Sequence, residues 1–148
     1  MVNPQFLFCT AVCLIASWTD VHNRTIPNWL TRTGLGIALT FNLILAISTG
    51  NYWILLLTAL SLAVAVLLGY MLFYAKVIAG GDVKLLWVII VSFAPFCAFG
   101  VPLGLVYTLL LFIVGGVYCL FCALVLRQKD VAYAPAFVLA LLACLPLL

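Results

Sequence analysis

All nine acidic and basic side chains of this chain fall into three short breaks between apolar runs. The runs lie near residues 5–19, 29–49, 52–75, 83–99, 102–126 and 131–148. A helix that crosses a bilayer needs roughly 20 mostly apolar residues. The pattern therefore predicts an all-α fold: a polytopic helical membrane bundle of about six spans, forming one domain over residues 1–148. Composition closes the alternatives. Of 148 residues, 69% are hydrophobic and 6% charged, where globular chains are about half apolar and about a quarter charged. A nucleic-acid binder working through a basic patch, a soluble two-domain enzyme and a disordered tail are all excluded.

The breaks alternate in kind. Residues 19–32 hold Asp20, His22, Arg24 and Arg32; the break after residue 75 holds Lys76, Asp82 and Lys84; Arg127, Lys129 and Asp130 close the fifth. The second and fourth breaks, Ser48–Asn51 and Pro95–Pro102, carry no charge. If the spans alternate across the bilayer, every charge lies on one face, and Lys/Arg-rich loops stay in the cytoplasm. Both termini are then expected outside. The fourth span has about a dozen residues before Pro95, roughly 18 Å of helix. It must either kink and continue through Pro95 or stop short. Met1 to Gln5 contain no basic residue, so a cleavable signal peptide is not expected.

Several residue types have plain structural readings. The six cysteines sit in apolar runs, and Cys119-x-x-Cys122 has no second pair or His near it, so they read as small buried hydrophobes. Gly34-x-Gly36 and Gly115-Gly116 read as close helix packing. Trp18, Trp29, Tyr52 and Trp53 fall at expected interfaces, where aromatic belts form. His22 has too few neighbouring ligands for a metal site, and none is expected.

Two carboxylates remain. Asp20 ends the first span and Asp82 opens the fourth, so the topology puts both at one depth on one face. If their helices pack together, the two acids cannot both ionise cheaply and one keeps its proton. The ionised partner then takes a proton from water while the protonated one polarises a carbonyl. That pairing hydrolyses a peptide bond with neither metal nor covalent intermediate. Each acid also has an ordinary reading. Asp82 after Gly80-Gly81 is a helix N-cap. Asp20 lies at the unfavourable negative end of its own helix, where Arg24 one turn later offsets it as a surface pair.

The motifs around these acids resemble a known family. Asp20-Val-His-Asn-Arg24-Thr-Ile26-Pro27-Asn28 resembles the first signature of the type IV prepilin peptidases, an Asp followed by a basic residue and Ile-Pro-Asn. Ala79-Gly80-Gly81-Asp82-Val83-Lys84 is similar to the second, Gly-x-Gly-Asp followed by Val-Lys. Tyr133-Ala134-Pro135 is similar to the Tyr/Phe-x-Pro segment that opens the last helix. Two positions depart from the pattern: Ala79 stands where the motif has Gly, and Ala132 where Pro is usual.

The resemblance implies a Gly-x-Gly-Asp membrane aspartic protease of the bacterial inner membrane, with Asp20 and Asp82 as its catalytic pair. It would remove the short basic leader of prepilins at the cytoplasmic boundary, its partners being the prepilin helix and the lipid bilayer, without cofactor, metal or nucleic acid. Longer members carry a four-Cys cytoplasmic insertion and methylate the new N-terminus. This chain lacks that insertion and looks like the short form serving Flp-type pili. Arg24 and Lys84 either tune the pair or mark the inner face; Pro27 is expected to begin the second helix, with Asn28 satisfying backbone at the turn. Two other classes stay open. A homologue that binds pilin without cutting is motivated by Ala79. A small proton-coupled transporter would want acids at mid-span and polar stripes on its helices.

Overall fold

A computed structural model describes residues 4–75, 80–98, 101–124 and 132–143. Among them lie six helices: α1 (Pro4–Asn23), α2 (Asn28–Thr49), α3 (Trp53–Tyr74), α4 (Gly80–Ser92), α5 (Leu103–Leu124) and α6 (Ala134–Ala143). A two-residue antiparallel pair, β1 (Cys97–Ala98) and β2 (Val101–Pro102), turns the chain between α4 and α5, with Cys97 opposite Pro102. The fold is the all-α bundle expected from the apolar runs. Helices α1, α2 and α3 are each long and apolar enough to cross a membrane. Their outward faces carry large exposed aliphatic side chains, such as Leu14, Ile44, Ile47, Leu60 and Leu67. A soluble protein does not expose apolar surface on that scale. The chain is a membrane protein.

The boundaries follow from local chemistry. The first long helix ends where Arg24 adopts a left-handed backbone, φ 55°, and its N–H bonds to the Asp20 carbonyl at 2.9 Å. Thr25 and Ile26, β-branched and followed by Pro27, do not resume a helix at once. Pro27 is the N-cap residue, at φ −62° and ψ 132°, and α2 starts at Asn28. It thus stands one residue outside the helix it was expected to open. At the other end Gly50 takes φ 65° and caps α2 through its N–H to the Ile47 carbonyl. Glycine is the residue that adopts this conformation at no steric cost.

The fourth apolar run resolves one way. Helix α4 stops at Ser92 and gives way to a turn, so it does not kink and continue through Pro95. Thirteen residues at 1.5 Å each make about 20 Å. A helix this short is stable here because it is the centre of the bundle. It packs against α1, α2, α3 and α5, and Leu85, Leu86, Val88, Ile89 and Val91 are fully buried. A helix apolar on all sides belongs inside. The last helix closes the bundle against α1 and α5.

A buried carbonyl at the end of α4 needs a donor, and Asn42 of α2 supplies it. Its Nδ2 donates to the Val91 carbonyl at 2.8 Å and to Thr58 Oγ1 of α3 at 3.1 Å, while its Oδ1 accepts from Gln5 Nε2 of α1 at 2.8 Å. One fully buried amide thus joins four helices. Close packing accounts for only half of the glycine pairs. A Cβ on Gly34 would meet Val88 at 3.2 Å, and one on Gly115 would strike the Tyr133 hydroxyl; Gly36 and Gly116 face open space.

Replacing Asn42 by Ala strands these partners in an apolar interior. The expected loss is about 1–3 kcal/mol, read as a lower midpoint in detergent unfolding. Ile44→Ala, on the outward face of the same helix, should change the midpoint little. An Asn42→Ala protein that unfolds like wild type would remove this amide from the account of what holds α4.

Candidate functional site

Four chain segments meet at one end of the bundle: the last turn of α1, the residues that lead into α2, and the first turns of α4 and α6. Between the first two of these and α4 lies a cavity of about 210 Å³ lined by Asp20, Arg24, Thr25, Ile26, Asn28, Gly81, Asp82 and Lys84. At about 30 Å³ per liquid water, it has room for several waters. Both acids singled out in the sequence border this one space. Asp20 is half-buried and Asp82 is 6% exposed. The cations that line it with them are Arg24 and Lys84.

The two signature segments are held against each other by direct contacts. A Cβ on Gly81 would come within 3.3 Å of Ile26, so the absence of a side chain lets the start of α4 seat on the Ile-Pro-Asn segment. Beside it, Lys84 Nζ donates to Asn28 Oδ1. Asn28 was expected to satisfy backbone at its own turn; its amide oxygen instead receives the lysine of the other signature. The lysine head is thereby fixed at the rim of the cavity.

Asp20 has a partner that the sequence did not disclose. Its Oδ2 accepts the backbone N–H of Ala134, the first residue of α6, at 3.1 Å. Pro135, next in the chain, has no N–H, and the Ala136 N–H is taken by the Tyr133 carbonyl at 2.9 Å. The first turn of α6 thus presents the Ala134 donor, and a carboxylate from another helix receives it. The apparent misplacement of Asp20 resolves here. It lies at the negative end of α1 and at the positive end of α6, and a carboxylate is favoured at the second. Tyr133 steadies the same turn: its hydroxyl approaches the Leu111 carbonyl of α5 at 3.5 Å and its ring meets Phe137 edge-on.

Of the remaining residues, His22 is exposed, stacked on Trp18 with ring centroids 4.3 Å apart, and is not part of the cavity lining. Trp18, Trp29, Tyr52 and Trp53 are exposed near helix ends. Thr25 lines the cavity and Ala134 holds Asp20, and neither was singled out in the sequence. Proline in a first helical turn does signal that few donors remain there, but not which acid meets them. Ala79, Lys76 and the charged run Arg127–Asp130 lie outside the described residues.

Comparison with known proteins bears on the same residues. The profile of the type IV leader peptidase family matches residues 7–124, a span that includes both acids and ends before Tyr133. The prepilin peptidase EppA of Methanothermobacter thermautotrophicus is 38% identical over 84 residues, covering 57% of this chain and 22% of that protein. The chain thus matches less than a quarter of the length of that relative. No solved structure matches it.

If Asp20 caps α6, removing its oxygens should be felt at that helix. Asp20→Ala is expected to cost about 1 kcal/mol of stability, as for other lost N-caps, and to speed hydrogen exchange at the Ala134 amide. Asp20→Asn keeps an acceptor and should restore most of both. Equal exchange in Asp20→Ala and wild type would show that the carboxylate does not hold this turn.

Proposed function

Because the chain belongs to the type IV leader peptidase family, we propose that it is a membrane aspartic endopeptidase that removes the leader of a prepilin, with Asp20 and Asp82 as the catalytic pair. The observation that carries this reading is the meeting of the two acids, from two distant signatures, on one cavity of about 210 Å³ at the end of the bundle. Two acids and two cations line the cavity and the helices below it are apolar, so water is available where the acids lie.

One of the two carboxyls holds a proton and donates a hydrogen bond to the scissile carbonyl oxygen. The other, ionised, takes a proton from a water molecule as its oxygen attacks the carbonyl carbon. The tetrahedral intermediate collapses when the leaving nitrogen receives a proton from the acid that took one from water. The C–N bond breaks, and the pair is left with one shared proton, as it began. Ala134 fixes one oxygen of Asp20, which leaves its other oxygen to face the reacting water. Arg24 and Lys84 lie on the same lining and hold the charge of the pair in balance. A basic leader enters from the cytoplasmic side of the inner membrane and meets the two acids, and the apolar helix that follows it stays in the bilayer. The direct run from Asp20 to Asn28, with no Cys-bearing insertion between α1 and α2, points to Flp-type prepilins.

Asp20→Asn and Asp82→Asn should each lower processing of a co-expressed prepilin by at least about 100-fold, the usual scale for a lost general acid or base. Leader removal is followed as a mobility shift, with membrane insertion of each variant checked alongside. Processing that survives either change would rule out the pair; wild-type protein that binds the prepilin and leaves it whole would favour a non-cleaving homologue.

A further inference from the structure

Helix α4 is enclosed along almost its whole length. Between residues 80 and 92 only Gly80, Gly81, Lys84 and Trp87 are not buried, and their spacing draws one stripe down the helix. That stripe is the only outward face of the helix carrying Asp82. Beside it, against α3, lies a second cavity of about 160 Å³, lined from α3 by Gly69, Tyr70 and Phe73 and from α4 by Gly80, Val83, Lys84 and Trp87.

The two cavities are neighbours across the first turn of α4. Lys84 lines both, and Gly80 in one adjoins Gly81 in the other. The first is flanked by acids and cations; the second, apart from Lys84, by aromatic and aliphatic groups and glycine. From Gly80 to Trp87 the groove follows α4 for about 10 Å, two helical turns. Tyr70 and Phe73 form its exposed rim. At its inner end the buried Trp87 Nε1–H has no acceptor among the described residues, although a buried indole N–H ordinarily finds one.

We infer that this α3/α4 groove receives the apolar stretch that follows the scissile bond of the substrate, an inference that rests on the peptidase reading above. A polypeptide cut in the first cavity must leave it, and the groove continues that cavity along α4 with the opposite polarity. A leader that is polar before the cut and apolar after it matches this change of lining. To be cut, the substrate must also unwind near the bond, which frees backbone carbonyls in a medium without water. The Trp87 N–H, buried beside the inner end of the groove and without an acceptor among the described residues, could donate to one only if the indole turned toward the groove. Gly69 keeps this end narrow: a Cβ there would lie 2.5 Å from Trp87 Nε1 and 2.6 Å from Val83.

The test uses the full chain in vesicles of phosphatidylethanolamine and phosphatidylglycerol. The probe is a synthetic peptide with a short basic leader and an apolar segment of about 20 residues. A photo-crosslinking side chain is placed at Tyr70 or Phe73 in an Asp82→Asn background, with Ile44 of α2 and Leu109 of α5, both outward-facing, as controls. Capture of the peptide should exceed the controls about tenfold and fall when unlabelled peptide is added. In the active chain, Tyr70→Ala combined with Phe73→Ala should raise KM about tenfold with kcat within about twofold. A peptide truncated just after the scissile bond should be cut equally by variant and wild type. Equal capture at all four positions, or capture of lipid that the peptide does not displace, would overturn the groove while leaving cleavage by wild type intact. Capture at Tyr70 or Phe73 above the controls, with wild-type protein that never cuts the peptide, would instead retain the groove and remove the peptidase.

Discussion

A helix that ends inside an apolar medium leaves backbone N–H and carbonyl groups that no water can reach, and each must be met by another part of the protein. Among the described residues, α4 ends inside the bundle and α6 begins beside the cavity, and polar side chains of α2 and α1 meet these two ends. Asn42 of α2 takes the Val91 carbonyl at the far end of α4, and Asp20 of α1 takes the Ala134 N–H at the start of α6. These two side chains work at helix ends, away from the lipid-facing surfaces. Together they fix where α4 stops and where α6 starts.

The carboxylate of Asp20 therefore belongs to two systems. In one it is a structural acceptor at a helix N-terminus, worth what a good cap is worth. In the other it lines, together with Asp82, the cavity at the end of the bundle. Being anchored through one oxygen gives it a defined orientation, which the proposed catalytic role would require. The other acid is placed by different means: it lies in the first turn of α4, which is buried along most of its length, and is seated by the close approach of Gly81 to Ile26. Lys84 and Asn28 tie those two elements a second time. The site thus rests on contacts between the ends of helices, where the chain is most specific about its residues.

Much of this was legible in the sequence. The apolar runs and the grouping of all charges into three breaks led to a helical membrane bundle, and the same grouping put Asp20 and Asp82 at one level. What the sequence could not express was distance. That α4 is the hub was hidden because a fully buried helix and a short membrane span look alike as apolar runs. The stop at Ser92 depended on a donor 49 positions away, Asn42, which along the chain is one polar residue in an apolar stretch. The link from Asp20 to Ala134 spans 114 positions and uses a backbone group, which carries no residue identity. Pro27 and Asn28 were placed to within one residue, but the role of the Asn28 side chain depended on where Lys84 would lie.

The shortness of α4 also bears on how the molecule enters its membrane. With 13 residues it covers only part of a hydrocarbon layer about 30 Å thick, and it has almost no surface of its own to offer lipid. Its place in the bilayer is conferred by the walls that α1, α2, α3 and α5 put around it. The segment bearing Asp82 thus reaches its final depth only when the flanking spans have assembled, so during biogenesis the two acids come together late.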